Sequence, residues 1–240
     1  MINKIISSIS ENYAFSFQDL MTYRTILDWK GVSRNIHIPW DDRYIDEFSG
    51  LLNFSWNGLA MNPSIKITNN FLHKYHDLIE WDYITDNPSI HWNVELLEEF
   101  KDDWAWESKE FCGNTGLSLN TKLPWNEYLI DKYADRWFWG ELSCNPSLPW
   151  SKELRNKYYD RWTWDGHFGL WGLSINPSPV VKELLTRYFP ENIDHKYLNK
   201  TTENHTQETS RSNPFDTIVM EYVKQYGIKK LICCINITSL

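Results

Sequence analysis

The string LPWSKELRNKYYDRWTW (residues 148–164) comes 25 residues after a near-copy of itself, LPWNEYLIDKYADRWFW (residues 123–139). Aligning the chain on this string gives five clear copies and a worn sixth. They begin PWDDRYIDEF (39–48), KITNNFLHKY (66–75), HWNVELLEEF (91–100), PWNEYLIDKY (124–133), PWSKELRNKY (149–158) and VVKELLTRY (180–188). The second position of the first five is Trp40, Ile67, Trp92, Trp125 and Trp150, at spacings of 27, 25, 33 and 25 residues. A base period of about 25 with occasional insertions accounts for all four gaps, and such a period is the signature of a repeat architecture.

Each unit carries its own helix signals. The residue after that second position is Asp41, Thr68, Asn93, Asn126 or Ser151, and each has a side-chain oxygen able to accept from the free N–H groups of a first turn. The preceding apolar residue and Ile45, Leu72, Leu97 or Ile130 stand at hydrophobic-staple spacing; in the fifth unit Arg155 takes that place. An apolar stripe in steps of four follows, as in Leu154, Tyr158 and Trp162 or Leu129, Tyr133 and Trp137, and predicts a helix of about three turns. A W-x-W corner leads to a shorter element, WNGLAMNPS (56–64), WDYITDNPS (81–89), WGELSCNPS (139–147) or LWGLSINPS (170–178). Its Asn-Pro exit ends the helix, because a residue before proline is pushed out of the α region.

One unit cannot bury its own aromatic face, whereas stacked units cover one another. The expected fold is therefore all-α: a short α-solenoid of about five to six helix–turn–short-helix repeats. Residues 1–36 are expected to form an N-terminal cap and 37–195 the tryptophan-rich array. Residues 196–213 read as a polar linker and 214–240 as a C-terminal helix with a strand or extended tail. The stretch 16–31 reads as a capping helix with Ser16 as N-cap and Gly31 as its stop. The C-terminal helix, NPFDTIVMEYVKQYG (213–227), has an apolar face that on its polar tether either docks back on the array or serves a partner, the second being the favoured expectation.

The pattern PWSxELxxxYxDxWxW…LSxNPS, over roughly residues 37–190, resembles tandem tryptophan-rich repeats of uncharacterised bacterial and giant-virus proteins. Units two and six depart from it, with Ile67 and Val181 near the tryptophan position. The resemblance implies a repeat array and carries no activity with it.

Bulk properties narrow the function. The 240 residues include 14 Trp, 13 Tyr and 11 Phe, and the formal charge is −8. An acidic chain is repelled by phosphate backbones, which disfavours general nucleic-acid binding and suits a basic protein partner. The opening MINKIISSIS has no long apolar run, and no stretch reads as a membrane span. Cys112, Cys144, Cys233 and Cys234 form no disulfide framework, so a cytoplasmic location is expected. No catalytic or cofactor motif stands out, and neither enzyme activity nor cofactor nor metal is expected. His73 and His76 have metal-compatible spacing but no further ligand motif. Asp102, Asp103, Asp135 and Asp160 recur before tryptophans, which marks them as structural, with Arg136 and Arg161 as ion-pair partners between units.

Two insertions, SKEFCGNTG (108–116) and DGHFG (165–169), interrupt the period at the same place, just after the W-x-W corner. Insertions at one unit position emerge on one face, often the binding face. Phe111, Cys112, His167, Phe168 and Trp171 are thus candidate contact residues, joined by Tyr222 and Tyr226 of the C-terminal helix. The expected function is a non-enzymatic scaffold, adaptor or inhibitor docking a protein partner. The alternatives are carbohydrate or peptide stacking on exposed tryptophans, and a regulatory subunit of an enzyme.

Overall fold

A computed structural model describes residues 2–108, 116–164, 172–188, 214–229 and 231. Among these residues all regular secondary structure is helical, with no strand. It divides into two compact units, Met1–Ile90 with Gln207–Leu240, and His91–Thr206. The first contains α1 (Ile2–Asn12), α2 (Phe17–Thr22), α3 (Trp29–Arg34), α4 (Asp42–Phe48), a 3₁₀ turn (Leu59–Met61), α5 (Asn69–Lys74) and α6 (Trp81–Ile84). The second contains α7 (Val94–Glu99), α8 (Gly116–Leu119), α9 (Glu127–Lys132), α10 (Trp139–Cys144), α11 (Lys152–Lys157), a 3₁₀ turn (Leu173–Ile175) and α12 (Pro179–Tyr188). The C-terminal helix α13 (Pro214–Tyr226) belongs to the first unit.

Every expected N-cap is in place. The side chains of Asp41, Thr68, Asn93, Asn126 and Ser151 accept from the backbone N–H three residues on, with extended backbone at the cap. The helices they start are shorter than expected, six or seven residues rather than three turns. The reason lies in the aromatic stripe. Tyr133 and Tyr158 end α9 and α11, and the chain then turns tightly. Arg136 N and Trp137 N both donate to Tyr133 O (2.8 and 3.1 Å). The indole Nε1 of Trp137 reaches back to Ile130 O (3.2 Å), and Trp162 Nε1 to Arg155 O (3.0 Å). A ring N–H thus satisfies a helix-end carbonyl that another helical turn would otherwise have taken.

The entrance tryptophans pack on the last aromatic of their own stripe. Ring centroids are 4.8 Å apart for Trp92–Trp104, 4.9 Å for Trp125–Trp137 and 4.8 Å for Trp150–Trp162. The corner residues reach forward to the following segment. Trp106 lies 4.9 Å from Tyr133 and 4.8 Å from Trp137, and Trp139 lies 4.8 Å from Tyr158 and 4.9 Å from Trp162. Phe54 meets Tyr75 in the first unit at 5.2 Å. Such tilted and edge-on pairs are favoured by the ring quadrupole.

The asparagine of each exit does more than precede a proline. Asn62 Nδ2 donates to Ser33 O (2.9 Å) and Asn35 O (3.1 Å), and Asn87 Nδ2 to Ala60 O (2.8 Å) and Asn62 O (3.1 Å). In the second unit Asn145 Nδ2 bridges Ser118 O and Asn120 O, and Asn176 Nδ2 bridges Ser143 O and Asn145 O, at 2.7–3.3 Å. Each Oδ1 accepts from the backbone N–H two residues on, as in Ser64, Ser89, Ser147 and Ser178. Asn35, Asn62, Asn87, Asn145 and Asn176 are all buried.

This geometry starts well before residue 37. Ser16 caps α2 through a capping box, Trp29 Nε1 donates to Arg24 O as corner tryptophans do elsewhere, and Asn35 Nδ2 bridges Ser10 O and Tyr13 O. The single helix expected over 16–31 is therefore two. Gly31 is no stop but lies inside α3, where an added Cβ would stand 3.1 Å from Ser10 Cβ and 3.3 Å from Ser7 O. The element preceding the first copy is α1, which packs on α3.

The expectation that the C-terminal helix serves a partner in trans is corrected: α13 packs on α1 of its own chain. Val219, Val223 and Ile228 are buried, together with Ile9 of α1, so apolar surface on both helices leaves water at once. The linker, 196–213, and the final stretch, 232–240, lie outside the described residues.

Replacing Asn145 by Ala leaves Ser118 O without its amide partner, while Asn120 O keeps the Trp125 indole. At about 1–3 kcal/mol for one orphaned buried group, the expected loss in urea denaturation is about 1–3 kcal/mol. Asn70→Ala on an exposed face is expected to stay within about 0.5 kcal/mol.

Candidate functional site

Both insertions are rooted by the same pair of backbone hydrogen bonds. Across the first, Leu117 N donates to Ala105 O (2.8 Å) and Ser118 N to Trp106 O (3.2 Å). Across the second, Leu173 N donates to Thr163 O (2.8 Å) and Ser174 N to Trp164 O (3.2 Å). Each returns through a glycine of positive φ, Gly116 at 61° and Gly172 at 110°. At Gly116 a Cβ would fall 2.6 Å from the Glu107 carbonyl carbon, so only glycine closes that base.

The two bases meet the same short helix. On α10 the fully buried carboxylate of Glu141 accepts from Ser108 N (3.0 Å) and from the Ser108 hydroxyl. Cys144, at the other end of α10, accepts at Sγ from Gly172 N (2.8 Å). Burial, partly offset by the Gly172 N–H, pushes the Cys144 thiol up to about 11, which keeps it protonated and unreactive near neutrality. Sequence reasoning passed over Glu141. Its signal was a lone carboxylate at a position where other copies hold Gly31, Gly116 or Gly172.

Phe111, Cys112, His167, Phe168 and Trp171, the insertion residues singled out by sequence, lie outside the described residues. Tyr222 and Tyr226 lie on α13, their rings 4.7 Å apart. The outward side of that helix carries Ile218, 65% exposed, and Tyr226, 45% exposed. Of the histidine pair, His76 Nδ1 stands 3.0 Å from Asp77 and its ring 5.2 Å from Trp81. Among the described residues no group of three or more His, Cys, Asp or Glu is placed to hold a metal ion, and no helix is long and apolar enough to cross a membrane.

Two of the recurring acids, Asp102 and Asp135, meet the next segment, as the sequence suggested for Arg136 and Arg161. Arg136 pairs with Asp102 and Arg161 with Asp135. A second set of contacts was not legible. Asp46 accepts from Lys74 and the Tyr75 hydroxyl, Glu98 from Lys132 and the Tyr133 hydroxyl, and Asp131 from Lys157 and the Tyr158 hydroxyl. Burial and the Glu98 carboxylate together push the Tyr133 phenol up to about 12.

Comparison with protein families, with characterised proteins and with solved structures gives no match for this chain.

Hydrogen bonds from Lys101, then Lys132 and Tyr133, hold the Glu98 carboxyl down to about 2, against an ordinary 4.5. The folded state therefore favours the ionised form. Its contribution is complete above about 4.5 and is lost as pH falls through about 2. Because Glu98 is partly exposed, Glu98→Gln is expected to cost no more than about 1 kcal/mol at neutral pH. In urea titrations the gap between variant and parent should close as pH is lowered across that window.

Proposed function

We propose that the chain is a short α-solenoid of about five to six helix–turn–short-helix segments, acting as a non-enzymatic scaffold, adaptor or inhibitor that docks a protein partner. The carrying observation is the convergence of both insertion bases on α10, where Glu141 and Cys144 anchor them from opposite ends. That arrangement supports the two insertions as one contact surface. Supporting it further, the recurring asparagines, tyrosines and acids are engaged with neighbouring segments, so these carboxylates act as structural ties. The resemblance to tandem tryptophan-rich repeats and the net charge of −8 fit the same reading, which implies a cytoplasmic protein with a basic partner. With α13 seated on α1, the tail's share of the surface is its outward side, Ile218 and Tyr226.

One observation favours a stacking role for a single tryptophan. Trp56 is 56% exposed, 6.3 Å from Tyr83, whereas Trp40, Trp104, Trp137, Trp150 and Trp162 are buried. Stacking on Trp56 is a local supplement to docking rather than a platform of many rings.

Affinity capture from native extract tests the proposal with three proteins: the full chain, a chain whose residues 109–115 are replaced by a Gly-Ser loop of equal length, and an Ile218→Ser, Tyr226→Ser variant. Full deletion of α13 would uncover α1 and confuse the outcome. The full chain is expected to retain one stoichiometric protein, the loop replacement to lose it, and the α13 variant to weaken it. Capture by the loop-replaced chain equal to that of the parent would contradict the insertions' role.

A further inference from the structure

The copy that opens at Trp40 runs 27 residues to the next rather than 25, and hydrogen bonds show where the extra length sits. The residue before a corner donates its N–H to a serine hydroxyl of the preceding segment: Asp28 to Ser10, Phe138 to Ser118 and Thr163 to Ser143. In this copy the donor is Asn53, to the Ser33 hydroxyl (2.8 Å). The corner is therefore Phe54, which meets Tyr75 as corner rings do elsewhere, and not Trp56 as the lettering suggests. Exit asparagines follow their corners by six residues in the pairs Trp29 and Asn35, Trp81 and Asn87, Trp139 and Asn145, but by eight in the pair Phe54 and Asn62.

The extra residues are rooted like the two longer insertions. Leu59 N donates to Asn53 O (2.7 Å), as Leu117 N does to Ala105 O and Leu173 N to Thr163 O, and a glycine precedes each leucine. At Gly58 a Cβ would fall 2.1 Å from Asn53 O, so only glycine closes this turn. Ser55, Trp56 and Asn57 thus form a third, shorter insertion at the same place in the unit. It is fastened at every residue. Ser55 N donates to Asn53 Oδ1 (2.9 Å), Trp56 N to Glu80 Oε2 (2.8 Å), and Asn57 Oδ1 accepts from Arg34 Nη1 (2.7 Å). Arg34 in turn grips Glu11 at 3.2 and 3.0 Å. What this turn holds outward is one indole. Trp56 is 56% exposed and is the one exposed tryptophan among the described residues, its ring 6.3 Å from that of Tyr83. A tryptophan can bury roughly 150–250 Å², and a backbone already fixed leaves little freedom to lose when a partner covers the ring.

We propose that Trp56 is an anchor of the docking surface, its indole entering an apolar pocket with a basic rim on a protein partner. The surroundings of the ring define that occupant. Of the charged groups that hold the insertion, Arg34 is balanced by Glu11, which leaves Glu80 as the net charge beside the indole, of the same sign as the −8 of the whole chain. Glu80 Oε2 and Asn57 Oδ1 are committed to the turn itself, so the contact is the ring rather than a set of polar groups around it, which suits a protein pocket better than a sugar. Rigid tryptophans in such pockets are the usual centres of binding energy. This rests on the docking reading and names the chemistry of one of its contacts.

A chemical mimic of such a pocket tests the ring directly. The full, ¹⁵N-labelled chain is titrated with β-cyclodextrin and with its amino-rimmed derivative, an apolar cavity without and with a basic edge, while indole N–H resonances are followed by NMR. Trp56→Phe assigns the reporting signal. The expected result is a saturable shift of the Trp56 indole with the other indoles unmoved, about threefold tighter for the amino-rimmed host. Glu80→Gln keeps an acceptor for Trp56 N and should reduce that preference. No saturable shift, or an undiminished preference in Glu80→Gln, overturns the proposal. The protein retained by the full chain in affinity capture is then titrated calorimetrically against parent and Trp56→Ala. The alanine variant should bind about 30-fold or more weaker, as expected for a hot-spot aromatic. Affinity within about twofold of the parent sinks the anchor and leaves the docking reading standing, whereas a parent chain that retains nothing sinks both.

Discussion

A buried carboxamide that spans two carbonyls of the preceding segment is the interaction on which the rest of this protein depends. The short helices end after a turn or so, leaving carbonyls that no helical N–H reaches, and a buried carbonyl without a donor is costly. Asparagine answers this with one nitrogen carrying two hydrogens and one oxygen that returns to its own backbone. Aspartate has no donor there and would bury a charge. The same carbonyls take a second donor from the next entrance: Trp40 Nε1 to Asn35 O, Trp125 Nε1 to Asn120 O and Trp150 Nε1 to Asn145 O, each at 2.8 Å. Both lone pairs are then used, which explains why Asn and Trp recur five residues apart. Where Ile67 replaces the tryptophan, Asn62 O accepts from the Asn87 amide and, at 3.4 Å, from Ile65 N instead of an indole.

The aromatic residues divide into roles that composition alone could not separate. An entrance indole closes on its own segment, a corner indole lies against the next, and the indole ending the stripe donates to the helix it follows. The buried rings of Trp40, Trp137, Trp150 and Trp162 thus each have a hydrogen-bond acceptor as well as ring neighbours, the usual condition for burying tryptophan at low cost. Serines do parallel work on the backbone: the Ser33, Ser118 and Ser143 hydroxyls accept from Asn53, Phe138 and Thr163 N–H while donating to corner carbonyls. Lateral ties of this kind let helices of six residues, far below the length at which an isolated helix persists, stand in a folded chain.

What the sequence made legible was local. N-caps, the apolar stripe, the Arg136 and Arg161 pairs and the position of the insertions follow from spacing and short-range chemistry. What it concealed depends on partners some 25 residues away. The asparagine amides, the Tyr–carboxylate contacts and the buried Glu141 look from sequence like ordinary polar residues, because their acceptors and donors sit in another copy. The segment from Ser16 to Asn35 was hidden differently: Phe15 and Leu27 stand where tryptophans mark the other copies, so the spacing survived while the lettering did not. The docking of α13 was invisible for a third reason, since an amphipathic helix advertises an apolar face without saying against what it lies.

The paired backbone bonds at the root of each insertion separate two kinds of information in the chain. Leu117 and Leu173 are gripped at Ala105 and Thr163 whatever intervenes, and the glycines beside them absorb the reversal of direction. Length and lettering between those roots are thus released from the demands of folding and can drift, lengthen or be exchanged between proteins of the same build. A framework of this sort keeps its shape while its outward vocabulary is rewritten.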